Sequence, residues 1–548
     1  MRRRPSNRHF IAGAAVLITL STGCGPGAPA PPPFPDDTPR LVLFLVIDQM
    51  SQEYLVRFRP LLDGGFDYLL ENGVVFADAH HDHAHTVTGA GHATLASGRF
   101  PRHSGIVSNQ WVDRATGEDV YCVQGRDYRR SPANLLVDTV ADWIKERDPA
   151  SKVFAASGKD RSAVLTGGHG ADAALWYDGG KWATTGYYTE PEWLDGFNAR
   201  NWLDQYFGRT WEPLPVPQET LTDLGIVELD EGIYQRSFPY AFGSKTLAPT
   251  SGFYSAILSS PLADDYLLEL AKTILEEEGL GDDEHPDFLG LGFSALDYVG
   301  HNFGPNSREV LDTILRLDDA LAELFAAIDA RVGLENVVIS LSADHGVAPL
   351  PAYRRANGQW AEREDMQDVA CYQDAGRRLK DRFGDYQWLR DGLYLNEEAI
   401  EATGIDRGEL DRAVVELLGM CDAVERVWTR SELLEAQQSP SGGAGGPTDE
   451  ERYRRLFANG YHPDRSPDYE IQYRAYYLER RSAGTSHGSP HPYDTWVPLI
   501  VVAPGAAPHE EPGRVITADL APTLAGILGI EPPADLDGVD RSDRVGGW

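Results

Sequence analysis

The chain has 548 residues, 42% hydrophobic and 10% aromatic, so it carries the material for a large packed core and disorder is excluded for most of its length. Against 84 Asp and Glu stand 49 Lys and Arg, a formal net charge of -35. A field of that sign repels phosphate backbones. It excludes nucleic-acid binding as such and means that an anionic substrate must be drawn in by local positive charge or metal.

Arg2, Arg3, Arg4 and Arg8 precede the apolar run Phe10–Leu20, which is too short to cross a bilayer, since that takes about 20 residues. Residues 1–23 therefore read as a signal peptide. Thr22-Gly23 before Cys24 resembles a bacterial lipobox, with the departure that Leu20 lies four residues before the Cys rather than three. Residues 24–39 are a Pro-rich linker, and 40–548 read as one catalytic domain. The expectation is an exported protein of the periplasm, outer membrane or cell surface, monomeric, with a lipidated Cys24 as membrane tether. Of the other cysteines, Cys122, Cys371 and Cys421, two can pair, and sequence leaves the pairing open.

Leu41–Ile47 is a continuous apolar run ending at Asp48, and similar runs recur at Val153–Ala156, Phe288–Leu296, Val337–Leu341 and Val497–Val502. Such runs read as strands buried on both faces, hence a parallel sheet. Helical spacing fills Ser260–Glu278 and Ser307–Ala330, and Val515–Ile530 reads as a capped helix over the sheet. The alternation predicts an α/β fold, a doubly wound, mostly parallel sheet flanked by helices. Residues 167–255, and 350–483 with its Gly/Ser/Pro segment Gln438–Pro447, read as cap insertions.

Several strands end on polar residues, at the edge where open α/β sheets bind ligands. Asp297 and His301 stand one helical turn apart, Asp344-His345 sits at a turn, Asp48 ends the first strand, and His487 lies in a Gly/Ser loop. Three Asp and three His suit Zn²⁺ better than Mg²⁺, because imidazole nitrogen favours the borderline metals. Each taken singly is better explained as a helix cap; only the set outweighs that. Thr86 and Thr88 precede a helix-like segment, where free N–H groups favour an anionic adduct. On that octapeptide alone an N-cap role is the simpler explanation.

The motifs VIDQM, TVTGAGH, GIVSN, GKDR, ALDYVGH, SADHG and TSHGSP follow one another from Asp48 to Pro490. In this order they resemble the alkaline phosphatase superfamily, specifically its Thr-nucleophile, phosphate-irrepressible (PafA-like) alkaline phosphatases. The resemblance implies an alkaline-phosphatase-like fold and two Zn²⁺ per chain. Asp297, His301 and His487 would hold one ion. Asp48, Asp344 and His345 would hold the other, with Thr88 as its exchangeable ligand. Thr88 would be the nucleophile, and Asn109, Lys159 and Arg161 would bind the phosphoryl oxygens of small phosphate monoesters. The His80, His81, His83 and His85 cluster has no place in that pattern, His92 reads as packing, and His491 reads as a residue behind the site or at the surface. The alternative on the same scaffold is a nucleotide pyrophosphatase/phosphodiesterase, with an apolar slot in place of the Lys/Arg pair. A surface lipoprotein that keeps the fold only for binding would have lost metal ligands, and none is missing.

Overall fold

The apolar runs of the sequence become the centre of one nine-stranded sheet. The computed structural model describes residues 34–546 apart from 36–37, 227–236, 244–245, 365, 391–392, 439–446 and 479–482. The signal peptide, Cys24, most of the Pro-rich linker and most of the Gln438–Pro447 segment lie outside the described residues.

The strands are β1 (Leu41–Ile47), β2 (Val74–His80), β3 (Val153–Ser157), β4 (Ala173–Asp178), β5 (Lys181–Ala183), β6 (Asp287–Phe293), β7 (Val337–Ser342), β8 (Leu499–Val502) and β9 (His509–Ile516). Their order across the sheet is β9-β2-β8-β7-β1-β6-β3-β4-β5. β1 pairs in parallel with β6 and β7, and β3 and β4 continue the parallel run; β8 and the edge strand β5 run the other way.

Alternation along β1 shows why its run is apolar throughout. Leu41, Leu43, Leu45 and Ile47 enter one core, and Val42, Phe44 and Val46 the other. Helices flank both faces. The first core is covered by α3 (Leu262–Glu278) and α5 (Arg308–Arg331). The second is covered by α1 (Thr88–Ser97), α2 (Asp160–Gly167) and α6 (Leu520–Ile527). Between α3 and α5 lies α4 (Ala295–Phe303), which follows β6 directly.

Two expectations need correction. Residues 173–183, expected within an insertion, are β4 and β5 of the main sheet; their short aromatic runs pair with β3 instead of forming a separate unit. The aromatics that follow, Phe197, Trp211 and Phe253 among them, pack on the first core. At the C-terminus, Val515-Ile516 ends a strand parallel to β2, and the helix begins only at Leu520.

Much of 350–483 forms a cap with its own apolar cluster, built from helices Met366–Phe383 and Arg407–Leu418 and the antiparallel pair Val424–Thr429 and Tyr469–Tyr473. Cys371 and Cys421 form a disulfide inside it; Cys122 is buried in the second core as a free thiol.

Candidate active site

Every expected site residue sits at or just past the carboxyl edge of the central sheet. Asp48 follows β1, Lys159 and Arg161 follow β3, Asp297 lies in the first turn of α4 after β6, and Asp344-His345 follow β7. Thr88 is the first residue of α1 and Lys159 is the N-cap of α2, so two helix N-termini, with their unpaired N–H groups, converge on one spot.

The structure brings each expected triplet together. The ligand atoms of Asp297, His301 and His487 lie within 4.8 Å of one another, and so do those of Asp48, Asp344 and His345. His301 Nε2 stands 3.1 Å from Asp297 Oδ1, the contact that one-turn spacing on a helix allows. In all three imidazoles Nδ1 meets a backbone carbonyl: Thr485 at 2.8 Å for His301, Thr86 at 2.8 Å for His487 and Gly346 at 3.0 Å for His345. That bond fixes the ring and turns Nε2 toward the carboxylates, as metal-ligating histidines require.

The chemistry of the donors fits a divalent cation. Asp48 Oδ1, Asp344 Oδ2 and His345 Nε2 are buried without a hydrogen-bond partner. Each such atom left unmet costs about 1–3 kcal/mol. Burial pushes the Asp48 carboxyl up to about 6 and Asp344 well above the carboxylate range, each raised further by neighbouring carboxylates. Burial also pushes His487 down to about 3 and His345 well below its usual value, which keeps both imidazoles neutral with a lone pair to donate. Burial works against the Asp297 charge as well, but His301 and Lys159 outweigh it and hold that carboxyl well below the usual range. Three buried carboxylates gathered with three imidazoles in two sets make a donor set that fits divalent cations.

Lys159 and Arg161 gather at Thr88. Thr88 Oγ1 is 3.2 Å from Arg161 Nη2 and 3.5 Å from Lys159 Nζ. Lys159 Nζ also lies 2.6 Å from Asp48 Oδ2 and 2.6 Å from Asp297 Oδ2, bridging the two sets. Asn109 Oδ1 accepts from the Gly89 amide at 2.7 Å, next to Thr88. Thr86, the other hydroxyl of the motif, instead donates to the Ser489 carbonyl at 2.9 Å.

Three groups escaped the sequence reading. Gln49 has φ of 69°, rare for a residue with a side chain. In that conformation its amide reaches Asp344 Oδ1 at 3.1 Å while its Nε2 donates to Asp297 Oδ1 at 2.7 Å, tying the two sets together. Tyr121 accepts from Arg161 Nη1 at 3.3 Å and donates to Asp160 Oδ1 at 2.5 Å, which aims the guanidinium. His81 Nε2 lies 2.8 Å from the carbonyl of Ala343, immediately before Asp344, and its Nδ1 meets Thr517 Oγ1 at 2.9 Å. The dense histidine run thus disperses: His83 meets the Ala84 carbonyl and His85 meets Glu470. His92 packs under the site, with Nδ1 at 3.1 Å from Thr166 Oγ1, and His491 is held by Tyr453 and the Tyr473 carbonyl.

Comparison with known proteins agrees with this geometry. Residues 42–471 match the family described as type I phosphodiesterase / nucleotide pyrophosphatase. A Myroides odoratus protein named calcium-transporting ATPase is 32% identical, over 91% of this chain and 93% of its own. The alkaline phosphatase PhoV of Synechococcus elongatus is 32% identical, over 90% and 91%. The crystal structure of alkaline phosphatase PafA, 29% identical, superposes with a TM-score of 0.82 over 93% of this chain and 99% of that one. The chain belongs to the type I phosphodiesterase / nucleotide pyrophosphatase family of the alkaline phosphatase superfamily, on its PafA-like side, and is a phosphoric ester hydrolase.

Proposed function

We propose that the protein is an exported, two-zinc phosphate monoesterase of broad range that acts through a phosphothreonine at Thr88. The observation that carries this reading is the convergence of Lys159 and Arg161 on Thr88 Oγ1 within a chain of net charge -35. A monoester dianion gains most from two fixed cations at its equatorial oxygens. A diester carries one charge fewer and a second substituent, for which a nucleotide pyrophosphatase would offer an apolar slot.

Asp297, His301 and His487 would hold one zinc ion, and Asp48, Asp344 and His345 the other, with Thr88 beside it. Bound there, zinc supplies Lewis-acid polarisation and lowers the pKa of hydroxyls it touches. The chain's own groups do the rest. Thr88 Oγ attacks phosphorus, the phosphorus–oxygen bond to the substrate's alkoxide breaks, and the proton given up by Thr88 ends, by way of solvent, on the departing oxygen, which leaves as the alcohol. Water then attacks the phosphothreonine, restores the hydroxyl and releases phosphate. Lys159, Arg161 and Asn109 hold the phosphoryl oxygens through both displacements. The basic, apolar leader supports export, and so does the Cys371–Cys421 disulfide, since such bonds persist in oxidising compartments. Cys24 would carry the lipid.

Acid quenching during turnover of an aryl phosphate should trap phosphate on the peptide bearing Thr88, and Thr88→Ala should abolish turnover. Full activity in Thr88→Ala, or phosphate trapped on another residue, would remove Thr88 from the mechanism.

A further inference from the structure

A cleft of about 1150 Å³ separates the cap from the loop that carries Asn109. One wall is Ser108, Gln110 and Trp111, which flank Asn109, together with His85 of the nucleophile turn. On the other wall Tyr469, Ile471 and Tyr473 alternate along a cap strand, and Leu389 and the helix Met366–Phe383 complete it.

The cleft meets the site through chain neighbours: its His85 lies three residues before Thr88, and its Ser108 and Gln110 flank Asn109. His85 precedes Thr86, whose carbonyl meets His487 Nδ1. Glu364 of the wall follows Arg363, which donates to the Gly484 carbonyl, and the next residue, Thr485, holds His301. The helix that begins at Thr88 packs instead on Asp344, where a Cβ at Gly91 would lie 2.1 Å from the Asp344 carbonyl oxygen. An in-line displacement sends the leaving oxygen away from the attacking one. With Thr88 on the Asp344 side, the alcohol leaves toward the Asp297/His301/His487 side, to which His85 and Glu364 of the cleft are joined through the chain.

The walls state what they accept. Aromatic rings and aliphatic side chains favour a planar apolar body. Asp119 and Glu364 stand against Arg390, and Glu470 meets His85, so the lining offers no surplus of positive charge for a second anionic group on the alcohol. Gly376 adds an independent sign. It lies inside the helix Met366–Phe383 and lines the cleft, yet a Cβ there would meet nothing within 4 Å. No neighbour demands a glycine, and helix propensity disfavours one. Its effect on the structure is to leave room in the cleft.

We infer that this cleft receives the alcohol part of the substrate and selects monoesters whose alcohol is uncharged and carries a planar ring over small alkyl monoesters. The inference rests on the monoesterase reading above. The test is inhibition of the zinc-loaded enzyme by 1-naphthylmethylphosphonate, ethylphosphonate and inorganic phosphate. The wild type should bind the naphthyl compound about tenfold or more tightly than the ethyl compound. Gly376→Phe, which fills the cleft from a tolerant helix position, should erase that preference and leave phosphate inhibition unchanged. Gly376→Ala should keep the preference and confirm that the helix accepts a side chain. Equal binding of the two phosphonates in the wild type, or a preference that survives Gly376→Phe, overturns the assignment of the cleft alone. Failure of phosphate and both phosphonates to inhibit overturns the monoesterase reading and the cleft with it.

Discussion

Lys159 is the side chain on which the proposed monoester preference rests. Its ammonium is buried, and burial works against the charge, but Asp297 and Asp48 outweigh it and hold its pKa above the usual lysine value. Arg161 is likewise kept charged, with Tyr121 beside it. Both groups are thereby favoured as cations. Lys159→Ala and Arg161→Ala should each lower kcat/KM for an aryl monoester by about 10²–10³, as loss of a transition-state charge partner does, and lower that for the matched diester far less. Equal losses on both substrates would undo the charge assignment. That the two Asp/His sets and the group around Thr88 come together was legible because each motif carries its residue at fixed spacing. Gln49, Tyr121 and His81 were not, because their roles depend on a left-handed backbone, a hairpin and a carbonyl contributed by a distant strand end. A second residue-scale expectation concerns Asp264, fully buried beneath the site, with a carboxyl that burial pushes up to about 8 from 3.8. Between those values the folded protein holds a proton that the unfolded chain has released, so stability falls as pH rises through that window and the full penalty persists above it. Asp264→Asn should accordingly raise Tm relative to wild type more at pH 9 than at pH 5; equal shifts at both would contradict the burial explanation.

At the scale of elements, the nucleophile helix is positioned by an approach that only glycine permits. A Cβ at Gly91 would lie 2.1 Å from the Asp344 oxygen and 2.7 Å from its Cα, both backbone atoms of a buried turn. Gly91→Ala should push Thr88 and Asp344 apart and lower kcat by about 10²-fold, the size expected of a displacement near 1 Å, while the mutant protein stays folded. A folded variant with unaltered kcat would mean that the turn yields without cost. The sheet itself was readable in its centre, where β1, β6 and β7 are apolar on both faces. Its margin was less so: β4 and β5 are short and aromatic, and β9 passes into a helix within a few residues, so periodicity did not separate them from insertion or helix.

At the scale of the molecule, residues 366–473 carry an apolar cluster of their own and face the loop of Asn109 across a cleft. The cap's apolar cluster is closed by Cys371–Cys421, which spans 50 residues of chain. A cross-link over such a loop is worth about 2–4 kcal/mol. Replacing both cysteines with serine should make residues 366–421 cleave faster under limited proteolysis without altering phosphate inhibition, which depends on the sheet edge. A separate unit at 350–483 was expected from a charged stretch of weak periodicity, and the structure gives this region an apolar cluster of its own; its approach to the Asn109 loop was not legible, since nothing in the sequence near Tyr469 or Leu389 points to a partner that distant in the chain. The measurement that bears most directly on the whole reading is kcat/KM of the mature, zinc-loaded enzyme on matched aryl phosphate mono- and diesters at alkaline pH, with and without a chelator. A monoester preference of several decades, abolished by chelation and restored by zinc, is the expected result; a diester preference would contradict it and assign the same residues to a phosphodiesterase.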